Sequence, residues 1–432
     1  MENLKLTAQK VLNLLKDGGA DMAQCVATYK EKREFNVDGG EFSLFRTTFD
    51  NSLVLTAFKG GKKGTISINR LDDEAIKAAV SDCIASCDSA VADDAWEIAS
   101  TPDSRRFEEG CVTPDLDKFF DRLRELMENI KERHPLILME QLIASHVKTD
   151  SLYLNSFGVE YETVGGAYSV DLMYSAHDGE RGSSFFGSGV VFDSLEKPII
   201  DLASIERDLS DVEKQIDTCP LEGKFEGTLI APPSSLASFL YYALSNFAGD
   251  STLLDGTSIW KDALGTAVAD ERLTISMNPL DERIVCGDRY TGEGYIAENY
   301  DVIKNGVLNS FMLSQYIANK TGLKRAPNDT FSVVIEGGDV SLDEIIKNTK
   351  KGIIVGRFSG GQPGTNGEFS GVAKNSFLVE DGKITSAVSE TMINGNLADI
   401  LKNISAISSE TVCDGTSVLP YIAFEGVTVS GK

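Results

Sequence analysis

The stretch GTLIAPPSSLASFLYYALSNFAGD, residues 227–250, predicts a strand that runs directly into a helix. Pro232 and Pro233 suit the start of a helix, where backbone N–H groups have no partner inside the helix, with Ser234 or Ser235 as the expected N-cap. Gly249 is the expected stop. Apolar residues three and four positions apart indicate one buried face, formed by Leu236, Phe239, Leu240, Ala243, Leu244 and Phe247.

Strand signals follow this helix to the end of the chain. Runs of β-branched and aromatic residues alternate with polar ones and are separated by turn pairs such as Asn305-Gly306 and Asp381-Gly382. The expected strands lie at 273–277, 296–302, 307–311, 331–336, 352–357, 376–380, 383–388 and 421–429. So many strands with few helices predict a curved or barrel-like β-rich domain.

The chain before this domain mixes helices and antiparallel strands. Helical spacing is found near 4–15, 72–91, 113–134 and 200–216, and period-two alternation near 23–29, 42–58 and 136–193. The polar segment 92–111 is expected to be an excursion between subregions. The sequence therefore predicts an α+β protein of two domains, an N-terminal domain at 1–220 (subregions 1–110 and 111–220) and a C-terminal domain at 221–432.

Composition excludes several classes of protein. The chain has 41 Lys plus Arg against 66 Asp plus Glu, a net charge of −25, which repels nucleic-acid phosphates and anionic membranes. It has no apolar run near the roughly 20 residues that a membrane helix needs, and its amphipathic N-terminus is unlike a signal peptide. Seven cysteines, an odd number, indicate reduced thiols. We expect a cytoplasmic protein that binds neither nucleic acid nor membrane.

Two sequence features have metal-ligand chemistry, and each has a plainer interpretation. Cys83 and Cys87 share a helix face, but the rest of that face is apolar, and a free cysteine packs like a small hydrophobic residue. His177-Asp178-Gly179-Glu180 combines imidazole with carboxylates, but Asp-Gly is first a turn signal. We interpret the cysteines as core and the second segment as a turn.

Four ordered blocks in the second half give the chain a specific resemblance: residues 227–250, 298–324, 352–384 and 392–408. The chain resembles the TldD/PmbA family of bacterial metallopeptidase subunits over nearly its whole length. In that family the catalytic TldD-type subunit carries HExxxH on the helix after the first strand of the second domain. The resemblance implies that its two His bind zinc, that its Glu is the general base, and that a Cys near the C-terminus completes the site.

The positions of this chain that match the motif are Leu240, Tyr241 and Ser245. Leucine has no lone pair for zinc, tyrosine with its reference pKa of about 10 is a poor base at neutral pH, and serine is a weak neutral ligand. The resemblance therefore implies no catalytic residue and no metal site in this chain. Cys413 falls roughly where the family's catalytic subunit keeps its ligand cysteine and is the one weak metal candidate, but a lone thiolate does not hold a catalytic zinc.

What the resemblance implies is a PmbA-type (TldE-type) subunit of a heterodimeric zinc peptidase that degrades unfolded peptides. Zinc is then expected only in a TldD-like catalytic partner, and a homodimer is the alternative assembly for the isolated chain. The glycine-rich loop 359–371 is the candidate peptide cleft, because free backbone N–H groups can meet an extended peptide. Its candidate residues are Gly360, Gly361, Asn366, Gly367 and Glu368. A long flexible turn explains the same composition equally well.

Two other classes of function stay open at the level of sequence. The chain is alternatively a stand-alone interaction or regulatory protein, or a peptidase with a different site. No G-x-S-x-G elbow supports a serine hydrolase, and only three His are present. The family's older name is modulator of DNA gyrase, and the acidic charge argues that any such effect is indirect.

Overall fold

The computed structural model describes residues 1–389 and 391–431 and contains two sheets with separate sets of helices. The chain leaves the first sheet after Phe192 and enters the second at Thr218. The elements of the first part are α1 Glu2–Asp17, β1 Met22–Asp38, β2 Glu41–Lys59, β3 Lys62–Ile68, α2 Asp73–Ser89, β4 Asp103–Gly110, α3 Leu116–Arg133, β5 Ile137–Asn155, β6 Val159–Asp178, β7 Arg181–Gly182, β8 Phe186–Phe192, a 3-10 turn Ile199–Asp201 and α4 Ile205–Glu213.

The second part follows without a long linker. Its elements are β9 Thr218–Pro220, β10 Lys224–Ala231, α5 Pro233–Ala248, α6 Asp250–Leu254, β11 Ile275–Met277, β12 Tyr300–Lys304, β13 Val307–Leu308, α7 Gln315–Thr321, β14 Val333–Val334, α8 Leu342–Asn348, β15 Lys351–Ser359, β16 Glu368–Glu380, β17 Lys383–Ser389, β18 Thr391–Asn396, α9 Leu397–Lys402, β19 Ile404–Cys413 and β20 Val418–Ser430.

The first sheet has the order β3-β2-β1-β5-β6, with β4 and β8 on successive parts of β6. Its longest strands have 17 to 20 residues and carry a separate core at each end. Ala23, Cys25 and Ala27 of β1 pack with α1 and α2, whereas Phe35 and Val37 of the same strand pack with α3 and α4. One sheet therefore connects the two groups of helices.

Strand β4 differs from the sequence prediction of a polar excursion. Asp103–Gly110 pairs with β6, and this pairing is parallel, whereas the other strand pairs of the first sheet are antiparallel in the described chain. Most residues of β4 are charged or exposed. The segment has no apolar alternation, because it lies at the edge of the sheet, and so the pattern of a half-buried strand is absent from its sequence.

The second sheet closes on itself, which confirms the expected barrel-like domain and the α+β class. Strands β10, β15 and β16 pair in that order, β18 pairs with β16, and β20 pairs with both β18 and β10. Helix α5 packs against this ring through a core that includes Leu236, Leu240 and Leu244. The closed ring thus holds α5, the element on which the family's zinc motif would lie.

Candidate functional site

Helix α5 begins two or three residues earlier than its expected capping residues suggested. The helix starts at Pro233 with Pro232 as N-cap, and no side chain caps it. The expected serine cap is therefore wrong. Ser234 and Ser235 lie inside the first turn, where their hydroxyls donate to the carbonyl oxygens of Gly356 and Pro232, each at 3.3 Å. The proline pair starts the helix because proline's fixed φ and missing N–H suit that position.

The three positions that match the zinc motif do not form a ligand set. The Leu240 side chain is 1% exposed and belongs to the hydrophobic core of the barrel domain. Tyr241 is 53% exposed and packs edge-to-face on Phe331, with ring centroids 5.4 Å apart. Ser245 is half-buried, and its backbone oxygen accepts from the Thr252 hydroxyl at 3.5 Å. An alkyl chain, a phenol and one hydroxyl lack the imidazole or carboxylate donors that a catalytic zinc requires.

Cys413 lies at the end of β19 and is half-buried. Its thiol donates to the backbone oxygen of Arg283 at 3.3 Å, and burial raises the pKa of this thiol. Because the thiolate is the form that binds metals, this environment disfavours ligation. Within residues 1–389 and 391–431, no group of three His, Cys, Asp or Glu side chains is arranged to hold a metal ion.

The three histidines all belong to the first part of the chain and have local partners. His146 is buried with Nε2 2.7 Å from the Cys111 carbonyl oxygen, and desolvation lowers its pKa. Nε2 of His177 lies 3.0 Å from the Ser175 hydroxyl, beside the turn that joins β6 to β7. Nδ1 of His134 lies 3.1 Å from a carboxylate oxygen of Glu213.

The pair Cys83 and Cys87 lies in the core, as we interpreted it. Both side chains are buried in the cluster that contains α1 and α2. Their thiols donate to the backbone oxygens of Gly64 and Ala57, at 3.4 and 3.2 Å. Burial raises the pKa of the Cys83 thiol to about 11, so the protonated form is favoured.

The glycine-rich loop lies against the last turn of α5. Nδ2 of Asn246 donates to the backbone oxygens of Pro363 and Gly364, at 3.0 and 3.2 Å. Nδ2 of Asn396 donates to the backbone oxygen of Asn366 at 2.9 Å. The loop is therefore fixed at both sides, which favours a built surface over a flexible turn. Neither Asn246 nor Asn396 could be identified from the sequence, because both contacts join residues distant in the chain.

The five candidate cleft residues have distinct positions in this loop. Gly360, Gly361 and Gly367 have φ values of +77°, +51° and +84°, which L-residues rarely adopt. Oδ1 of Asn366 accepts from the Glu368 backbone N–H at 3.1 Å, which closes a tight turn. Glu368 is exposed and begins β16. The structure thus brings the candidate loop and the C-terminal turn of α5 together, with Glu368 as the carboxylate among the five.

Two adjacent glycines of the loop should respond very differently to alanine. A Cβ on Gly361 would lie 1.4 Å from the Ser370 backbone oxygen, whereas a Cβ on Gly360 would meet nothing within 4 Å. Both substitutions place alanine in the left-handed region, at a cost of about 1–2 kcal/mol. We expect Gly361→Ala to cost about 1–3 kcal/mol more, since the backbone must move. Thermal unfolding of both variants checks this, and equal midpoints would show that the loop is not packed as described.

Comparison with known proteins finds the same architecture elsewhere. Models described as the PmbA/TldA metallopeptidase C-terminal domain and domain 1 match residues 224–431 and 24–87. A metalloprotease of Methanothermobacter thermautotrophicus is 26% identical over 330 residues, covering 70% of this chain and 72% of the relative. A zinc metalloprotease TldD homologue of Saccharolobus solfataricus is 26% identical over 230 residues, covering 49% and 51%. The crystal structure of TldE from Thermococcus kodakarensis superposes with a TM-score of 0.85 at 21% identity, covering 98% of this chain and 100% of that one.

Proposed function

Because the chain belongs to the TldD/PmbA family of metallopeptidases, we propose that it is the non-catalytic, PmbA/TldE-type subunit of a two-chain zinc peptidase. In this proposal a TldD-like partner holds the zinc and the general base, and the complex degrades unfolded peptides. The observation that carries the proposal is the chemistry of α5, where Leu240, Tyr241 and Ser245 stand at the motif positions. A chain without these donors contributes to peptide cleavage through shape and contacts.

A surface for the partner lies on β2. Strand β3 pairs only with residues 53–59 of β2, so the outer edge of residues 41–52 has no neighbouring strand in the described chain. This edge segment also exposes large apolar side chains, namely Phe42, Leu44, Phe45 and Phe49. A long exposed edge with apolar side chains favours pairing with another chain. The edge segment 41–52 is therefore our candidate contact surface.

Charge and shared fold argue that the occupant is a TldD-like chain. The edge segment carries only Glu41, Arg46 and Asp50, so its own charge is close to neutral although the whole chain carries −25. Two acidic proteins can approach at such a surface with little repulsion. A partner of the same family would present a strand at the corresponding place, and two such edges can pair through backbone hydrogen bonds. The same edge would support a homodimer when the partner is absent.

We place this complex in the cytoplasm. All seven cysteines are free thiols, as a reducing compartment requires. In the part of the chain that the structure describes, no helix has both the length and the apolar composition to cross a membrane.

A charge on the edge segment should disrupt the complex and leave the chain folded. We expect Phe49→Asp, at a side chain 61% exposed, to weaken binding of a coexpressed TldD-like subunit by roughly tenfold or more, as for a central interface aromatic. Leu264→Asp is the matched control, because Leu264 is an exposed apolar residue outside this edge. Sedimentation of the purified complexes measures both. Assembly of the Phe49→Asp complex at wild-type affinity would exclude this edge as the contact.

A further inference from the structure

A large cavity lies between α4 and the barrel domain, away from the motif positions of α5. It has a volume of about 840 Å³, and a neighbouring cavity of about 360 Å³ adjoins it. Ser204, Asp208 and Ser234 line both cavities, so these residues lie where the two meet. Leu240, Tyr241 and Ser245 line neither. The inter-domain cavity, as we call the larger one, is thus a separate feature of the fold.

Asp208 is a half-buried carboxylate at this junction. Its Oδ2 accepts from the hydroxyls of Ser188 and Ser204, at 2.7 and 2.8 Å, while its Oδ1 has no hydrogen-bond partner among the described residues. Burial raises the pKa of Asp208 to about 6, so the group is mostly ionised at neutral pH. One oxygen of this carboxylate thus stays free of protein donors, and nothing in the proposed peptidase role uses it.

The cations near Asp208 are engaged elsewhere. The Arg207 guanidinium lies over the Tyr421 ring, 5.3 Å from its centroid. Nζ of Lys214 pairs with Asp211 at 2.8 Å. Within the described ranges 1–389 and 391–431, no Lys, Arg or His nitrogen lies within 4.0 Å of the Asp208 carboxylate. The charge of Arg207 lowers the pKa of Asp208 through space, but no cation contacts its free oxygen, so a ligand can supply that contact.

The other residues that line the cavity indicate the polarity and the hydrogen-bonding groups of such a ligand. Much of the inter-domain cavity is apolar, lined by Phe186, Ile200, Leu342, Ile346, Ile354 and Phe377. Asn375 also lines it, is only 7% exposed, and has an Oδ1 without a hydrogen-bond partner. Oδ1 of Asn375 is shielded from the cavity, so the acceptor that a ligand meets is the free Oδ1 of Asp208, and a complementary ligand supplies an N–H donor.

We propose that the inter-domain cavity binds a primary ammonium group that carries an apolar side chain, with Asp208 as the counter-ion. The N-terminal residue of a peptide and a single apolar amino-acid amide share this chemistry. The ammonium group would bond to Oδ1 of Asp208, and its side chain would lie on the apolar wall. This site goes beyond the proposed subunit role, because it requires neither zinc nor a partner chain.

Calorimetric titration of the isolated full-length chain with leucinamide tests the proposal. We expect saturable binding of leucinamide and none of N-acetyl-leucinamide, which keeps the side chain and lacks the charge. Asp208→Asn should weaken leucinamide binding by about tenfold or more, the fold-change expected for losing a charged hydrogen bond. The asparagine oxygen can still accept from Ser188 and Ser204, so the fold should be retained. Leu-Gly-Gly-amide, added in parallel, distinguishes a peptide site from a site for single residues.

Asp255→Asn is the matched control, since Asp255 is an exposed carboxylate that lines neither cavity. It removes the same charge from the chain and should leave leucinamide affinity unchanged. The proposal is overturned if leucinamide does not bind, or if the acetylated compound binds as well. It is also overturned if Asp208→Asn behaves like Asp255→Asn. These outcomes do not depend on peptidase activity, so failure here is distinct from failure of the subunit proposal.

Discussion

Replacing the Glu of HExxxH with Gln in a coexpressed TldD-like partner should slow peptide cleavage by the complex by about 10²–10⁴, the usual contribution of a general base. Tyr241→Phe in this chain, at the matching position, should leave the rate within about twofold, since general-base chemistry is absent from this helix. The ring is kept, so its edge-to-face contact with Phe331 should persist. The measurement is cleavage of an unfolded peptide by each purified complex, with one chain changed at a time.

The control for this experiment is assembly, because a complex that falls apart loses activity for a trivial reason. Sedimentation of each variant complex should match that of the wild type before rates are compared. If Tyr241→Phe abolished turnover in an intact complex, this chain would contribute catalytic chemistry and the subunit proposal would be wrong. Cleavage by this chain alone would instead indicate a peptidase with a different site. An assembled complex whose rate did not depend on this chain would favour an interaction or regulatory role.

The sequence was most informative where residues close in the chain determine the structure. Helix α5 follows from its proline start and its apolar spacing, and all six side chains of the predicted face are buried, together with Ser235 and Ala248. The β-rich character of the second half follows equally from strand alternation. The capping residue was harder to predict, because Ser234 and Ser235 are both suitable caps. The two prolines instead determine where the helix starts.

Closure of the barrel could not be read from the sequence in detail. It depends on β18, a strand of six residues that pairs with β16 on one side and with β20 on the other. The six residues of β18 do not by themselves specify which two strands it pairs with, because the packing of the whole domain selects the pairing. Strand β4 was missed for a related reason, because an edge strand with exposed side chains has no apolar period.

The sequence identified the residues of the candidate site but did not predict which of them lie together in space. The chemistry of Leu240, Tyr241 and Ser245 is evident from residue type alone. The loop 359–371 is held on the end of α5 by Asn246. This residue lies more than a hundred positions before the carbonyl groups to which it donates. Asp208 gave no signal in the sequence, because its burial comes from α4 packing beside β8 and the barrel domain. Such contacts join segments that are far apart in the chain, and local sequence patterns do not reveal them.

The metal content of the purified chain tests the central claim most directly. After expression without any partner and dialysis against a mild chelator, elemental analysis should find no stoichiometric zinc, because α5 offers no ligand set. A coexpressed complex with a TldD-like subunit, treated identically, should retain zinc and serves as the positive control. Retention of one zinc per isolated chain would contradict the account and direct attention to Cys413 and His177.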